Sequence, residues 1–255
     1  MKIRVLGASG SEMPGYNLPA FLIDDKILMD AGNIGFSLSD SEQWRVKYIL
    51  LTHAHLDHIK GIPFFLDNII IKNKNHTVTL ISGREVLADI KKNVFNNRIW
   101  PDFTKIPNIK EPILRFKAIN RSHPLNIDGY KVFAEKMNHA VPAYGYIIEG
   151  KDRKAIAYTG DTGPTELFWR KVSLHDVRCL VVETSFPNSM SGLASKSGHL
   201  TALLLRNEIL KMIKMPPMIL ISHTKPQYIS IIKKEIKALR IRNIEILRDG
   251  QIITV

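Results

Sequence analysis

Thr52-His-Ala-His-Leu-Asp-His58 follows directly on the apolar run Tyr48-Ile-Leu-Leu51. Four side chains able to bind a metal, His53, His55, Asp57 and His58, lie on a loop where a buried strand ends. Imidazole nitrogens and a carboxylate suit zinc, manganese or iron better than calcium or magnesium. His53 and His55 stand two apart, and on an extended stretch such residues point to the same side. Asp57 and His58 then turn the chain toward a second position. The alternative is a chance gathering of polar loop residues, and nine histidines in 255 residues make it a poor one.

Working outward, the first quarter reads as strands at Ile3–Leu6, Ala20–Ile23, Lys26–Met29 and Tyr48–Leu51, separated by Gly, Pro and Asp turns. Apolar residues at helical spacing predict helices over Ile59–Leu66 and Glu85–Phe95, with a strand at Thr77–Ser82 between them. Further strands are expected near Ile113–Phe116, Tyr130–Met137, Tyr144–Glu149, Lys154–Tyr158, Leu180–Glu183 and Met218–Ile221. Helices are expected at Pro164–Lys171, Thr201–Ile213 and Ile229–Leu239. The ending, Ile244–Leu247 and Gln251–Val255 around Asp249-Gly250, reads as a terminal hairpin. Strands lead and helices close each half of the chain, which predicts an α/β architecture of two mixed sheets packed together with helices outside. No internal repeat or linker divides it, so residues 1–255 are expected to form one domain.

Composition narrows the function classes. The single cysteine, Cys179, excludes an internal disulfide and a Cys-rich zinc cluster, and its apolar neighbours suit a small buried hydrophobe. Met1–Leu6 lacks the apolar core and cleavage site of a secretory signal, and no apolar run could span a bilayer, so a soluble cytoplasmic protein with no membrane partner is expected. The formal charge of +12, from 36 basic and 24 acidic residues, favours phosphate-bearing substrates. The lysines are scattered rather than blocked, so charge alone does not make the chain a nucleic-acid binder.

Three isolated residues sit at the ends of later strands: His139 in Met137-Asn-His139, Asp161 in Tyr158-Thr-Gly-Asp161-Thr-Gly163, and His223 in Ile221-Ser-His223. Alone, each is ambiguous, since a lone His is more often structural and Gly-Asp-Thr-Gly makes a good turn without a metal. His76, His123 and His175 match nothing.

With these in order behind it, His53-x-His55-x-Asp57-His58 resembles the hallmark of the metallo-β-lactamase superfamily. The resemblance runs from residue 1 to about 225. It implies a four-layer αββα sandwich of two mixed β-sheets flanked by helices. It also implies two divalent metal ions, with zinc expected and manganese or iron accepted by the same ligands. His53, His55 and His139 would hold one ion, Asp57, His58 and His223 the other, and Asp161 would bridge them. Such a pair lowers the pKa of bound water to about 7 and clamps the attacked group, and Asp57 is counted with the catalytic residues for that reason.

Glu183-Thr-Ser-Phe-Pro-Asn188, Gly198-His-Leu-Thr201, Ile221-Ser-His-Thr-Lys-Pro226 and Phe95-Asn-Asn-Arg-Ile-Trp-Pro-Asp102 narrow the likeness to the class II cyclic nucleotide phosphodiesterases. Leu56 fits their His-Leu-Asp-His form, whereas Ile62-Pro-Phe-Phe-Leu-Asp67 departs from their usual continuation. The resemblance implies hydrolysis of 3′,5′-cyclic AMP or GMP to the 5′-monophosphate by hydroxide attack. His199 is expected to protonate the leaving oxygen, with Glu183 holding its ring. Asn97 and Trp100 are candidates to bind the substrate base, by hydrogen bonding and by stacking. The same features resemble, less completely, ribonuclease Z, whose substrate is tRNA and which would make RNA the partner. That family carries an inserted arm between the positions of His139 and Asp161, where only residues 140–160 stand here. A non-catalytic scaffold or nucleic-acid-binding module on the same fold is the third reading, and seven intact ligand positions argue against it. Relatives commonly form homodimers, a state no segment of this chain establishes.

Overall fold

A computed structural model describes residues 1–72 and 76–255. Fourteen strands among the described residues form two seven-stranded sheets. The first half of the chain supplies β1 (Lys2–Gly7), β2 (Ala20–Ile23), β3 (Ile27–Met29), β4 (Tyr48–Leu50), β5 (Val78–Ser82) and β6 (Leu114–Ala118). The second supplies β7 (Leu125–Ile127), β8 (Tyr130–Lys136), β9 (Tyr144–Glu149), β10 (Lys154–Tyr158), β11 (Asp176–Glu183), β12 (Met218–Ser222) and β13 (Ile244–Ile246), before β14 (Ile252–Thr254) returns to the first sheet. The strand orders are β14-β1-β2-β3-β4-β5-β6 and β13-β12-β11-β10-β9-β8-β7. Each half repeats one plan: antiparallel strands first, then strands added in parallel through helical crossovers.

Helices cover both outer faces: α1 (Asp40–Gln43), α2 (Leu56–Ile59), α3 (Gly61–Lys72) and α4 (Arg84–Asn93) accompany the first sheet. Those of the second are α5 (Leu167–Val172), α6 (Ser191–Ser197), α7 (Ala202–Ile209) and α8 (Ile229–Ala238). Alternation along each strand divides the core. Ile156 and Tyr158 of β10 face the large cluster between the sheets, while Ala155 and Ala157 face a second cluster with Phe168, Trp169, Leu205 and Ile232 of the outer helices. In the same way β11 sends Cys179 and Val181 inward and Leu180 and Val182 outward, so a strand covered on both faces reads as one apolar run. Burial pushes the Cys179 thiol up to about 12, so it packs as an inert hydrophobe.

The two mixed sheets flanked by helices are those the sequence predicts, with local differences. The terminal hairpin does not form: β13 pairs in parallel with β12, whereas β14 pairs with β1 in the other sheet. Asp249-Gly250 is a left-handed turn (Gly250 φ 80°) that carries the chain between sheets, with the Asp249 carboxylate accepting from the amides of Ala8 and Asn17. A Gly turn of this kind carries the same sequence signal in either setting. The helix expected to reach Ile213 ends at Ile209, ahead of Pro216-Pro217, which disfavours helix before it. The short α1, β7 and α6 are not among the elements the sequence predicts.

Candidate metal centre

All seven expected ligands lie at one end of the sandwich, where strands of both sheets finish. The loop after β4 brings His53, His55, Asp57 and His58, with His58 fully buried in the first turn of α2. From the second sheet, His139 follows β8, Asp161 follows β10, and His223 follows β12. Two groups of donor atoms result: His53, His55, His139 and Asp161, and Asp57, His58, Asp161 and His223, each within 4.8 Å of one another. Asp161 belongs to both.

The spacings suit shared cations. Two ligands held at about 2.0–2.1 Å by one tetrahedral zinc stand about 3.4 Å apart. Here His139 Nε2 is 3.3 Å from His55 Nδ1, and His53 Nε2 is 3.6 Å from Asp161 Oδ2. In the other group His58 Nε2 lies 3.4 Å from Asp161 Oδ1, and His223 Nε2 lies 3.2 Å from Asp57 Oδ2 and 3.3 Å from Asp161 Oδ2. Buried polar atoms are costly unless partnered, yet His53 Nε2, His58 Nε2 and Asp161 Oδ1 are buried with no hydrogen-bond partner. Cations at the two centres would satisfy all three, so the donor set fits metal binding.

Charge state agrees at three of the rings. Burial pulls His53, His55 and His139 below the usual imidazole value, leaving neutral rings able to give a lone pair. Burial also lowers His58, but Asp161 and Asp30 outweigh it and hold the ring above that value. For Asp161 burial raises the carboxyl and His223, His58 and His53 more than reverse it, while Asp57 is likewise carried down by His223 and His58.

Behind the donors stand two buried carboxylates. Asp30, directly after β3, accepts from the Thr52 amide (2.8 Å), the Thr52 hydroxyl, His58 Nδ1 (2.7 Å) and the Tyr158 hydroxyl (2.7 Å). The Thr52 hydroxyl in turn accepts from His53 Nδ1 at 2.9 Å, so one carboxylate orients two rings with Nε2 forward. Glu183, ending β11, accepts from His199 Nδ1 (2.7 Å), the Ser185 hydroxyl (2.8 Å) and the amides of Thr162 and Leu200. Ser185 passes the constraint on by accepting from His223 Nδ1 at 2.9 Å. The sequence singled out Glu183 for His199 alone. It missed Asp30, Thr52, Ser185 and Tyr158, whose only signal is a position beside a strand end.

Local backbone is shaped to the same purpose. Asp30 (φ 55°) and His223 (φ 57°) adopt left-handed conformations that cost non-glycine residues about 1–3 kcal/mol each, and the surrounding contacts hold them there. Gly198 (φ 72°) ends α6, its carbonyl accepts from His139 Nδ1 at 2.9 Å, and a Cβ there would lie 2.9 Å from the His139 Cα.

His199 stands at the edge of this centre, its ring stacked 5.4 Å from that of His223 and edge-on to that of His139 at 5.1 Å. Burial lowers its pKa, but the charge and hydrogen bond of Glu183 prevail and raise it. Asn97 shapes a turn (φ 61°) and accepts the Asp102 amide, while the Trp100 ring lies edge-on to Phe64 with its indole N–H buried and unpartnered. His76 bonds the Val46 carbonyl and His175 bonds Glu149, while His123 is exposed.

A family model described as the beta-lactamase superfamily domain matches residues 27–221. The chain belongs to the beta-lactamase superfamily. Within the superfamily it is 28% identical over 183 residues to 3′,5′-cyclic-nucleotide phosphodiesterase 1 of Saccharomyces cerevisiae, covering 62% of this chain and 48% of the relative. It is 25% identical over 158 residues to ribonuclease Z of Metallosphaera sedula, covering 60% and 50%. The match thus spans about half the length of either relative. The superfamily fold is shared throughout with unliganded yeast PDE1, whose crystal structure superposes with a TM-score of 0.85 at 19% identity, covering 100% of this chain and 99% of that one. No helix among the described residues is long and apolar enough to cross a membrane.

Proposed function

We propose that the protein is a dinuclear metal-dependent phosphodiesterase whose substrates are 3′,5′-cyclic nucleotides, hydrolysed to 5′-monophosphates. The observation that carries the proposal is the Asp161 carboxylate shared by two donor groups, with the Glu183–His199 pair beside them. When bound, two divalent cations, zinc by preference of the His-rich set, would supply an activated water and neutralise phosphoryl charge. The chain's own residues supply the rest. Glu183 holds His199 by Nδ1, which leaves Nε2 to face the substrate. As the bond from phosphorus to the 3′-oxygen breaks, Nε2 gives its proton to that oxygen, and the neutral imidazole recovers one from solvent. Glu183 also accepts the Thr162 amide beside Asp161, so the acid and the shared ligand are fixed to a single carboxylate.

Similarity to ribonuclease Z and the +12 charge favour a second reading, tRNA 3′-end cleavage. Against it, β9 and β10 are joined by residues 150–153 alone, which leaves no place for an inserted tRNA-binding arm. The test is a panel with metal-loaded protein: cyclic AMP, cyclic GMP, bis(p-nitrophenyl) phosphate and a precursor tRNA. Cyclic nucleotide turnover is expected; cleavage of the tRNA alone would overturn the proposal.

A further inference from the structure

One strand along the same rim from the metal loop lies a polar groove of about 550 Å³, lined by Arg84, Glu85, Asn120, Arg121, Lys136 and Tyr144 among others. Strands β3 to β6 run parallel, and ligands of such sheets bind beyond the carboxyl ends of the strands. The metal loop leaves that end of β4, while Gly83-Arg84 and Ile119-Asn120-Arg121 leave the same end of β5 and β6. Direct contacts link the walls of the groove to the metal loop. The Tyr144 amide donates to the Thr52 carbonyl next to His53, the Tyr144 ring fills the space beside Gly83, and Lys136 is three residues from His139.

Its charge is positive. Lys136 pairs with Glu85 at 2.7 Å, and the Tyr144 hydroxyl also donates to Glu85. Arg121 pairs with Glu135, a carboxylate that Lys171 also neutralises. Arg84 makes no ion pair among those of the described residues, and it is the first residue of the ten-residue helix α4, whose amino end adds positive potential. A cyclic mononucleotide carries one phosphate, which the metal centre would take, and leaves Arg84 without an anionic ligand.

We infer that this groove is a subsite for a second phosphate, so that the enzyme also hydrolyses linear phosphodiesters carrying a phosphate beside the scissile one. The inference rests on the phosphodiesterase reading. A guanidinium–phosphate contact is charge-assisted and bidentate, which corresponds to about a tenfold gain in binding. The substrates that test it are a dinucleotide with and without a 5′-phosphate, a trinucleotide without terminal phosphate, and bis(p-nitrophenyl) phosphate. The phosphorylated dinucleotide is expected to exceed the unphosphorylated one about tenfold in kcat/KM, and Arg84→Glu to bring that ratio close to one. Its salt dependence should also lose a logarithmic slope of about 0.7 in the variant, the value of one single-strand phosphate contact. A matching advantage of the trinucleotide assigns the groove to an internal phosphate, and its absence to a terminal one. Hydrolysis of both dinucleotides at equal rates, or a ratio unchanged in Arg84→Glu, overturns the subsite alone. No hydrolysis of the linear esters by protein that turns over cyclic AMP overturns the inference alone, whereas loss of both activities overturns the phosphodiesterase reading itself.

Discussion

His199 and Glu183 are where the chemistry depends most directly on single atoms. His199→Ala removes the proposed proton donor but no residue of the two donor groups, so kcat on cyclic nucleotides should fall by about 10²- to 10⁴-fold while bound metal stays constant. Kinetics paired with metal analysis would decide this, and undiminished turnover would remove the acid role. The raised pKa of His199 also carries a sign. The acid must hold its proton, so turnover is supported below that pKa and lost as pH rises through it. Glu183→Gln deletes the charge that raises it, and burial then dominates, so the alkaline limb of the pH–kcat profile should move to lower pH. A limb left in place would mean that another group titrates there.

At the scale of elements, each sheet contributes an arm of the site and a buried carboxylate that aligns it. Asp30 at the end of β3 receives four donors, the Thr52 hydroxyl shared between its two oxygens. In Asp30→Asn one of those oxygens becomes an amide that opposes donor to donor, and metal affinity should fall about 10- to 100-fold. Titration with a competing chelator would measure it, and an unaltered affinity would show that the rings are held without the Asp30 carboxylate. The candidate ligands of the His53–His58 loop are legible in the sequence because one strand end carries four of them. His139, Asp161 and His223 were legible only as further strand ends in a familiar order. Asp30 was not, because its role exists only once β3 lies beside β4, a pairing that no local pattern encodes. The separation of β13 from β14 was hidden for the opposite reason: Asp249-Gly250 gives a clear local signal, and long-range pairing decides what it joins.

For the whole molecule the centre is a joint between its two sheets. The loop after β4 belongs to one sheet, and His139, Asp161 and His223 belong to the other, so a cation bound by both groups adds a tie to the apolar packing and the few hydrogen bonds that join them. A ligand that binds only the folded state stabilises it by about 4 kcal/mol when present at a thousand times its Kd. A domain of this size responds with about 2–4 °C in Tm per kcal/mol, so full removal of metal should lower Tm by on the order of 10 °C. The buried imidazole and carboxylate atoms left without partners in the apo protein are part of that loss. Calorimetry before and after dialysis against chelator, with metal content measured on the same samples, makes the comparison. Asp161→Asn weakens both groups at once and should already melt near the apo value, with little further response to chelator. Equal melting of metal-loaded and stripped protein would mean that the two sheets are joined without the cations, and that the centre serves chemistry alone.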